Sequence, residues 1–316
     1  MFCNVIVTRP FNQVFTYKFK KEQPVKIGSL VNVPFGKSNN QIGMVENIFD
    51  KIILNTDYKI KNINRVYETI TFSKDIIKFI NWISDYTLSP KGLVLKLFII
   101  NEKNIDYSTN IEKETLFSPD SVKLNVDQRK AAILIKKFLF KESLPIVLEG
   151  VTGSGKTEVF FEAIEIVIQK KQQALIMVPE IALTPQLEKR FLKRFGFLPN
   201  IWHSKISEKK RRNIWHKSYL GDAMIVVGAR SSLFLPFKKL GLIVVDEEHD
   251  SSYKQEDNIR YQARDLAIVR AKIDCALIVL SSATPSLETQ NNIFKKNLSM
   301  FIYLLNFQEQ LFLQLN

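Results

Sequence analysis

The spacing of apolar positions changes twice along this chain, and each regime predicts a different architecture. Over residues 1 to about 66, short apolar runs alternate with turn residues. Val5-Ile-Val7, Phe15-Thr-Tyr-Lys-Phe19, Leu30-Val-Asn-Val33 and Ile42-Gly-Met-Val45 are separated by Pro10, Pro24, Gly28, Pro34-Phe-Gly36 and Asn39-Asn40. Runs this short, punctuated by Gly, Pro and Asn, predict a small β-rich domain, either sheet or barrel. The spacing then turns helical. Ser73 can cap a helix running to about Tyr86, with Ile76, Phe79, Ile80 and Ile83 on one face. Ser89-Pro-Lys-Gly92 stops that helix, and a second apolar stretch, Leu93 to Ile100, follows. Residues 101–123 are polar and of mixed charge, with Ser118-Pro-Asp120 among them, and predict a linker.

From Leu124 the pattern changes again. The apolar runs Ile146 to Leu148, Ala174 to Val178, Ala223 to Val227, Leu242 to Val245 and Ala276 to Leu280 alternate with helical stretches. None of the five shows period-two alternation, so each reads as a strand buried on both faces. Alternation with helices then predicts an α/β domain with a mainly parallel, doubly wound sheet. The last stretch, 297–316, holds no Lys or Arg and is mostly Leu, Phe and Gln. It fits either a packed helix or the end of an interrupted, frameshifted reading frame.

Candidate chemistry begins where one of these strands ends. Gly150, Val151, Thr152, Gly153, Ser154, Gly155, Lys156 and Thr157 fit the phosphate-binding pattern G-x-x-x-x-G-K-[ST]. The run Pro145 to Glu149 supplies the preceding strand. Phe160, Ala163, Ile164, Val167 and Ile168 recur at helical spacing after it. Glycines let successive backbone N–H groups curl around a phosphate, and the helix N-terminus adds its dipole. Lys156 is then placed for the β- and γ-phosphates of ATP and the Thr157 hydroxyl for Mg²⁺.

Downstream, Leu242-Ile-Val-Val245 runs into Asp246-Glu-Glu-His249. A carboxylate closing a buried strand in the same sheet can ligate Mg²⁺, which nominates Asp246. Glu247 follows as the group to orient or deprotonate a water, and His249 as a bridge from nucleotide state to neighbouring loops. Ser281, Ser282, Ala283 and Thr284 follow the next strand, and the small hydroxyl residues among them can hydrogen-bond that acidic box. Gln128, upstream of the phosphate loop, offers the paired donor and acceptor that would read adenine, although most Gln side chains are simply solvated.

Composition narrows the options. Of 316 residues, 46% are hydrophobic, enough for a real core and against wholesale disorder. The net charge is +13 and the sequence pI about 9.5, which points to a polyanionic partner such as nucleic acid or else to the Lys-rich coding of an AT-rich genome. In the β-rich segment, aromatic residues interleave with Lys18, Lys20, Lys21, Lys26 and Lys37. That mixture suits a single-strand binding surface, and equally ordinary strand packing beneath a solvated Lys face. Cys3 and Cys275 are too few for a disulfide framework or a Cys-rich zinc site, so no zinc is expected and the cytoplasm is the expected compartment. The first ten residues lack the layout of a signal peptide, and no apolar run approaches the ~20 residues of a membrane span.

Taken in order, the phosphate loop, Val178-Pro-Glu-Ile-Ala-Leu-Thr-Pro-Gln186, Val227-Gly-Ala-Arg-Ser-Ser-Leu-Phe-Leu-Pro236, the Asp-Glu-Glu-His box and Ser-Ala-Thr resemble the ordered motifs of DEAH-type helicases. More narrowly, Asp246-Glu-Glu-His-Asp-Ser-Ser-Tyr-Lys-Gln255 with Arg260-Tyr-Gln-Ala-Arg-Asp265 resembles the PriA-type replication-restart helicases (primosomal protein N′). At the front, Phe15-Thr-Tyr17 and Val33-Pro-Phe-Gly-Lys37 resemble that family's 3′-end DNA-binding domain. The resemblance covers roughly residues 1–100 and 124–292.

It implies a RecA-like first helicase lobe over 124–292 that binds ATP and Mg²⁺ through Gln128, residues 150–157 and Asp246. Catalysis falls to Lys156, Asp246, Glu247 and His249, and coupling to Ser282, Ala283 and Thr284. It places Phe15, Thr16, Tyr17, Gly36 and Lys37 at a nascent strand's 3′ end. Val178 to Gln186 and Val227 to Pro236, with Arg230, would touch the DNA strand. In the segment Asp250 to Asp265, Tyr253 and Tyr261 would stack on bases, with Lys254, Arg260 and Arg264 near DNA. The implied partners are forked or single-stranded DNA with a free 3′ end, other primosome proteins and single-stranded DNA-binding protein. The implied activity is ATP-dependent 3′-to-5′ unwinding in replication restart.

The departures carry expectations too. The family's winged-helix domain does not fit in 101–123, and its second lobe and zinc-binding module have no counterpart, so the chain reads as truncated after its first lobe. Residues 293–316 fit nothing in the pattern. Thr16 stands where some members have an acidic residue, which would alter recognition of the 3′ end. The rival expectation is a non-catalytic DNA-binding remnant of a decaying helicase gene.

Overall fold

The computed structural model describes residues 1–51, 59–101, 105, 123–141, 145–151, 153–179, 184–295 and, as backbone, 300–304. The expected linker lies almost wholly outside this set, as do Thr152, residues 180–183 and most of the tail. The chain divides into two compact units: Met1–Asn110 with Glu256–Arg260, and Ile111–Gln255 with Tyr261–Asn316.

The first unit is built on an antiparallel sheet of β1 (Phe2–Val7), β2 (Phe15–Lys18), β3 (Ser29–Phe35), β4 (Ser38–Phe49) and β5 (Arg65–Thr71), in the order β2-β1-β4-β3-β5. Period-two alternation puts Cys3, Val5 and Val7 of β1 into one apolar cluster with Tyr17, Val31, Val33 and Val45. Helix α1 (Lys74–Thr87) begins as its sequence predicts, the Ser73 hydroxyl accepting the Ile76 N–H at 3.2 Å. Its buried residues include Ile76, Phe79, Ile80 and Ile83. The apolar stretch after it is a second helix, α2 (Lys91–Phe98). Strand β5 escaped the sequence pattern for a physical reason. It is an edge strand, and of its seven residues only Tyr67 and Ile70 are buried, so no apolar run marks it.

The second unit is a parallel sheet. Helix α3 (Val126–Phe138) precedes β6 (Ile146–Gly150), α4 (Lys156–Gln169), β7 (Gln173–Met177), α5 (Pro185–Phe195), β8 (Asn200–Trp202), α6 (Glu208–Leu220), β9 (Ile225–Gly228) and β10 (Leu240–Asp246). A two-stranded ribbon, β11 (Lys254–Gln255) with β12 (Tyr261–Gln262), leads to α7 (Ala263–Asp274), β13 (Leu277–Ser282), α8 (Leu287–Phe294) and β14 (Met300–Leu304). The order β14-β6-β13-β10-β7-β9-β8 is parallel throughout. Strands β6, β7, β9, β10 and β13 are buried nearly end to end, as unalternating apolar runs require. Their side chains share a core with Ala163, Ile164, Val167 and Ile168 of α4 and Phe191 and Phe195 of α5. The α/β class with a RecA-like parallel sheet, preceded by a small β-rich domain, is therefore the fold observed. In the tail, 300–304 form a strand beside β6 rather than a helix. Among the described residues no helix is long and apolar enough to cross a membrane.

Candidate functional site

In an open parallel sheet, chemistry collects beyond the carboxyl ends of the strands. Here β13 lies between β6 and β10, so one edge gathers three motifs. Asp246 is opposite Ser281, Ser281 is opposite Leu148, and Ser282 is opposite Glu149. Gly150 closes β6, and the phosphate loop begins there.

The loop turns on two glycines in the left-handed region, Gly153 at φ +82 and Gly155 at φ +81, the latter capping α4. A side chain at Gly155 would also have no room, since its Cβ would sit 2.3 Å from Gln128 Nε2. Lys156 is buried, and its Nζ donates to the Gly150 carbonyl at 2.5 Å, across the mouth of the loop. Gln128 is tied at both ends of its amide. Its Oε1 accepts the Asn125 N–H at 3.0 Å in a capping box at the start of α3, and its Nε2 donates to the Ser154 carbonyl at 2.9 Å. The amide expected to read adenine thus clamps the loop in this structure. Thr157 is half-buried in the first turn of α4.

At the end of β10, Asp246 Oδ1 accepts the Ser281 hydroxyl at 2.8 Å. Burial drives its pKa upward and the neighbouring Glu247 charge adds to that. The Ser281 hydrogen bond and the Lys156 ammonium oppose them without cancelling them. Glu247 holds a left-handed backbone, φ +48, a strained state for a residue with a Cβ. His249 Nδ1 lies 2.7 Å from Ser282 Oγ and 3.6 Å from Glu247 Oε2. Ser282 Oγ in turn accepts the Thr284 N–H at 3.0 Å. Ala283 sits inside that turn. The hydroxyl strand end expected to bond the acidic box does so at two points, Ser281 with Asp246 and Ser282 with His249.

These groups suit ATP with Mg²⁺. Ser154 Oγ is buried without a hydrogen-bond partner among the described residues, and no atom lies within 4 Å of a Cβ built on Gly153. Beside them stand a buried ammonium and a desolvated carboxylate at one sheet edge. Cation and phosphate are the charges that would relieve such a pair.

Several residues expected to face DNA are placed otherwise. Tyr253 is 1% exposed and its hydroxyl donates to the Asp246 carbonyl at 2.6 Å. Tyr261 is 8% exposed, set edge-on to Phe234 with ring centroids 5.4 Å apart, and burial pushes its phenol up to about 12. Both rings belong to the packing of the second unit, so neither offers a free face for a base. Arg264 is buried as well, its Nη1 3.1 Å from Glu248 Oε2 and its Nε 2.9 Å from Asp265 Oδ1. Burial works against its charge, and those two carboxylates outweigh the burial and raise its pKa. A guanidinium committed in this way is not available to a phosphate. Arg230 is half-buried, its Nη1 donating to the Ser252 and Lys254 carbonyls at 2.8 Å each, and Lys254 and Arg260 are exposed.

In the first unit, two of the expected 3′-end residues, Phe15 and Tyr17, reach the end of β3 next to Gly36 and Lys37, while Thr16 turns to Asn4. Phe15 meets Phe35 at 4.7 Å and Phe11 at 5.6 Å between centroids, although Phe15 is on β2 and Phe35 ends β3. Tyr17 is buried, and its hydroxyl donates to the Pro34 carbonyl at 3.1 Å. Thr16 Oγ1 donates to Asn4 Oδ1 at 3.0 Å. Gly36, at φ +56, and Lys37 are exposed in the turn beyond Phe35. Phe11 and Asn4 were missed because their links to this site are tertiary. Phe35 carried a signal, being next to Gly36 in a run already singled out.

Comparison with known proteins agrees with this geometry. The DEAD/DEAH box helicase family matches residues 127–293, more than half of the chain, and the chain belongs to that family. A second family, described as the 3′DNA-binding domain, matches residues 4–99. The chain is 41% identical over 282 residues to "Replication restart protein PriA" of Rickettsia conorii, covering 88% of this chain and 42% of that protein. It is 40% identical over 293 residues to the protein of the same name from Rickettsia prowazekii, covering 90% and 43%. The likeness to replication-restart proteins inferred from the motifs is thus real, and the chain spans about two fifths of the length of these relatives. Against the Chlamydia trachomatis protein of that name, 30% identical, the match runs over 387 positions. That relative therefore carries at least 71 residues with no counterpart in the 316 here.

Proposed function

We propose that the chain binds and hydrolyses ATP in its second unit, binds DNA with a free 3′ end through its first, and serves replication restart as a 3′-to-5′ helicase does. The observation that carries this is the convergence of Lys156, Asp246 and Ser281 on one edge of a parallel sheet. Domain limits of 1–100 and 124–292, with 101–123 joining them, follow from the motifs.

Lys156 and the loop N–H groups would hold the β- and γ-phosphates, while Thr157 and Asp246 would hold Mg²⁺. The nucleotide with its metal supplies an activated phosphoryl group. Glu247 would orient a water and take its proton. His249, through Ser282, would report nucleotide state to the turn at Ala283 and Thr284. In the first unit, the ring of Phe15 beside Phe35 and Phe11 offers a stacking surface, and the open turn at Gly36 with the exposed Lys37 offers approach to the phosphate on the 5′ side of the terminal nucleotide. Thr16 brings a hydroxyl where an acidic side chain would add charge. Primosome proteins and single-stranded DNA-binding protein are the partners of such a helicase, and the cytoplasm its compartment.

The test pairs two titrations on the purified chain: a fluorescent ATP analogue with Mg²⁺ or with chelator, and forked DNA with a free or a chemically blocked 3′ terminus. Mg²⁺-dependent nucleotide binding and a preference for the free terminus are expected. Equal affinity for both termini would remove the 3′-end reading. DNA binding without nucleotide binding would favour the non-catalytic remnant.

A further inference from the structure

The acidic box holds a third carboxylate, Glu248, which faces neither water nor the phosphate loop. It is fully buried, and its oxygens accept four hydrogen bonds. Oε1 takes the Ser286 N–H at 2.7 Å. Oε2 takes Ser286 Oγ at 3.1 Å, Thr289 Oγ1 at 3.0 Å and Arg264 Nη1 at 3.1 Å. Arg264 also donates to Ser286 Oγ at 2.6 Å, and Glu288 Oε2 lies 3.8 Å from it. The Glu248 N–H donates to the Ser281 carbonyl at 3.0 Å. A wholly desolvated carboxylate is costly unless a counter-charge and donors saturate it, and here they do.

Its partners are the ends of two helices. Arg264 is in the first turn of α7, directly after the ribbon β11–β12. Ser286 is the N-cap of α8 and Thr289 lies in its first turn, where a carboxylate also meets the positive end of the helix dipole. One side chain thus joins the strand end that carries Asp246, Glu247 and His249 to the segment after the Ser-Ala-Thr turn and to the exit of the ribbon. Glu247, immediately before it, keeps a left-handed backbone that something must hold.

We infer that Glu248 is a positioning residue: anchored by Arg264, Ser286 and Thr289, it holds Glu247 and His249 in their working geometry and links nucleotide state to the starts of α7 and α8. This rests on the proposed nucleotide site for its second half only; the anchoring stands without it.

The experiment is hydrogen exchange on the full chain and Glu248→Gln, which keeps shape and removes charge. Without nucleotide, exchange at Asp246–Asp250 and at Ser286–Gln290 should rise together, by about tenfold, as expected for loss of a charge-assisted hydrogen bond, while α6 is unchanged. A rise confined to Ser286–Gln290 would mean a merely local structural role and overturn the inference. With ADP and Mg²⁺, the unaltered chain should change its exchange at Ser286–Gln290. The variant should bind nucleotide within about twofold of the unaltered chain yet lose that response, the coupling being a link between sites and not a contact with ligand. Equal responses would also overturn it. If the unaltered chain binds no nucleotide, the proposed function fails, and the nucleotide-free comparison still decides the anchoring. If Glu248→Gln does not fold, Ser286→Ala and Thr289→Val each remove one donor and leave the Glu248–Arg264 pair. The same joint loosening in milder form is expected, and an undisturbed box refutes the link.

Discussion

The two sheets place function in opposite ways. In the parallel sheet, every strand points its carboxyl end to the same edge, so residues far apart in the chain arrive together without needing side-chain contacts to bring them there. Asp246, Ser281 and Leu148 are in register because β10, β13 and β6 are. In the antiparallel sheet neighbouring strands point opposite ways and no such edge exists. There the candidate site is assembled by side chains, Phe15 reaching across to Phe35 and Tyr17 to Pro34. One site should therefore be sensitive to charge and backbone and robust to apolar trimming, and the other the reverse.

The largest test of this contrast is Lys156→Ala. Removing a buried ammonium that meets phosphate should weaken nucleotide binding by at least about 30-fold, leaving 3′-end DNA binding by the first unit within twofold. Unchanged nucleotide affinity in a fluorescence titration would sink the phosphate-loop assignment. The converse is Phe15→Ala. A base–aromatic stack is worth about 1–3 kcal/mol, so affinity for a free 3′ end should fall roughly 5- to 150-fold with nucleotide binding untouched. The remaining DNA affinity should decline steeply with added salt, as Lys–phosphate contacts release counterions.

Gly155→Ala should act on the backbone. A left-handed φ and a Cβ 2.3 Å from Gln128 Nε2 leave no relaxed solution, so unfolding in denaturant should show a loss on the order of 1–3 kcal/mol. A neutral outcome would mean that the Gln128 clamp moves aside freely. The smallest expected effect is on Asp246. Its pKa is higher folded than unfolded, chiefly through burial. The folded chain therefore binds that proton more tightly. The favourable contribution is full below the ordinary carboxylate range and is lost as pH rises through the raised folded value. Asp246→Asn, which abolishes the charge, should raise the melting temperature at neutral pH without Mg²⁺ by on the order of 2–4 °C, while removing Mg²⁺-dependent nucleotide binding. A lower melting temperature would mean that the ionised carboxylate is stabilised in place.

Where a local rule governs, the sequence was enough. Uninterrupted apolar runs predicted buried parallel strands because a strand covered on both faces has no polar side to alternate. Ser73 predicted the start of α1 because capping needs only a hydroxyl three residues before a backbone N–H. The phosphate loop, Asp246 and the hydroxyl residues at the end of β13 were legible because each sits at the end of its own strand. What the sequence could not give was partnership. Strand β5 hid because edge strands carry little apolar signal, and β14 because its place beside β6 is decided by the sheet. Gln128 looked free for adenine, and Tyr253, Tyr261 and Arg264 looked free for DNA, since residue type states what a side chain can bond and not what lies within 3 Å of it. Glu248 went unremarked between Glu247 and His249, two residues of evident use. Only the packing of α7 and α8 against the end of β10 turns it from a third acid in a row into the group that holds Glu247 and His249 in place.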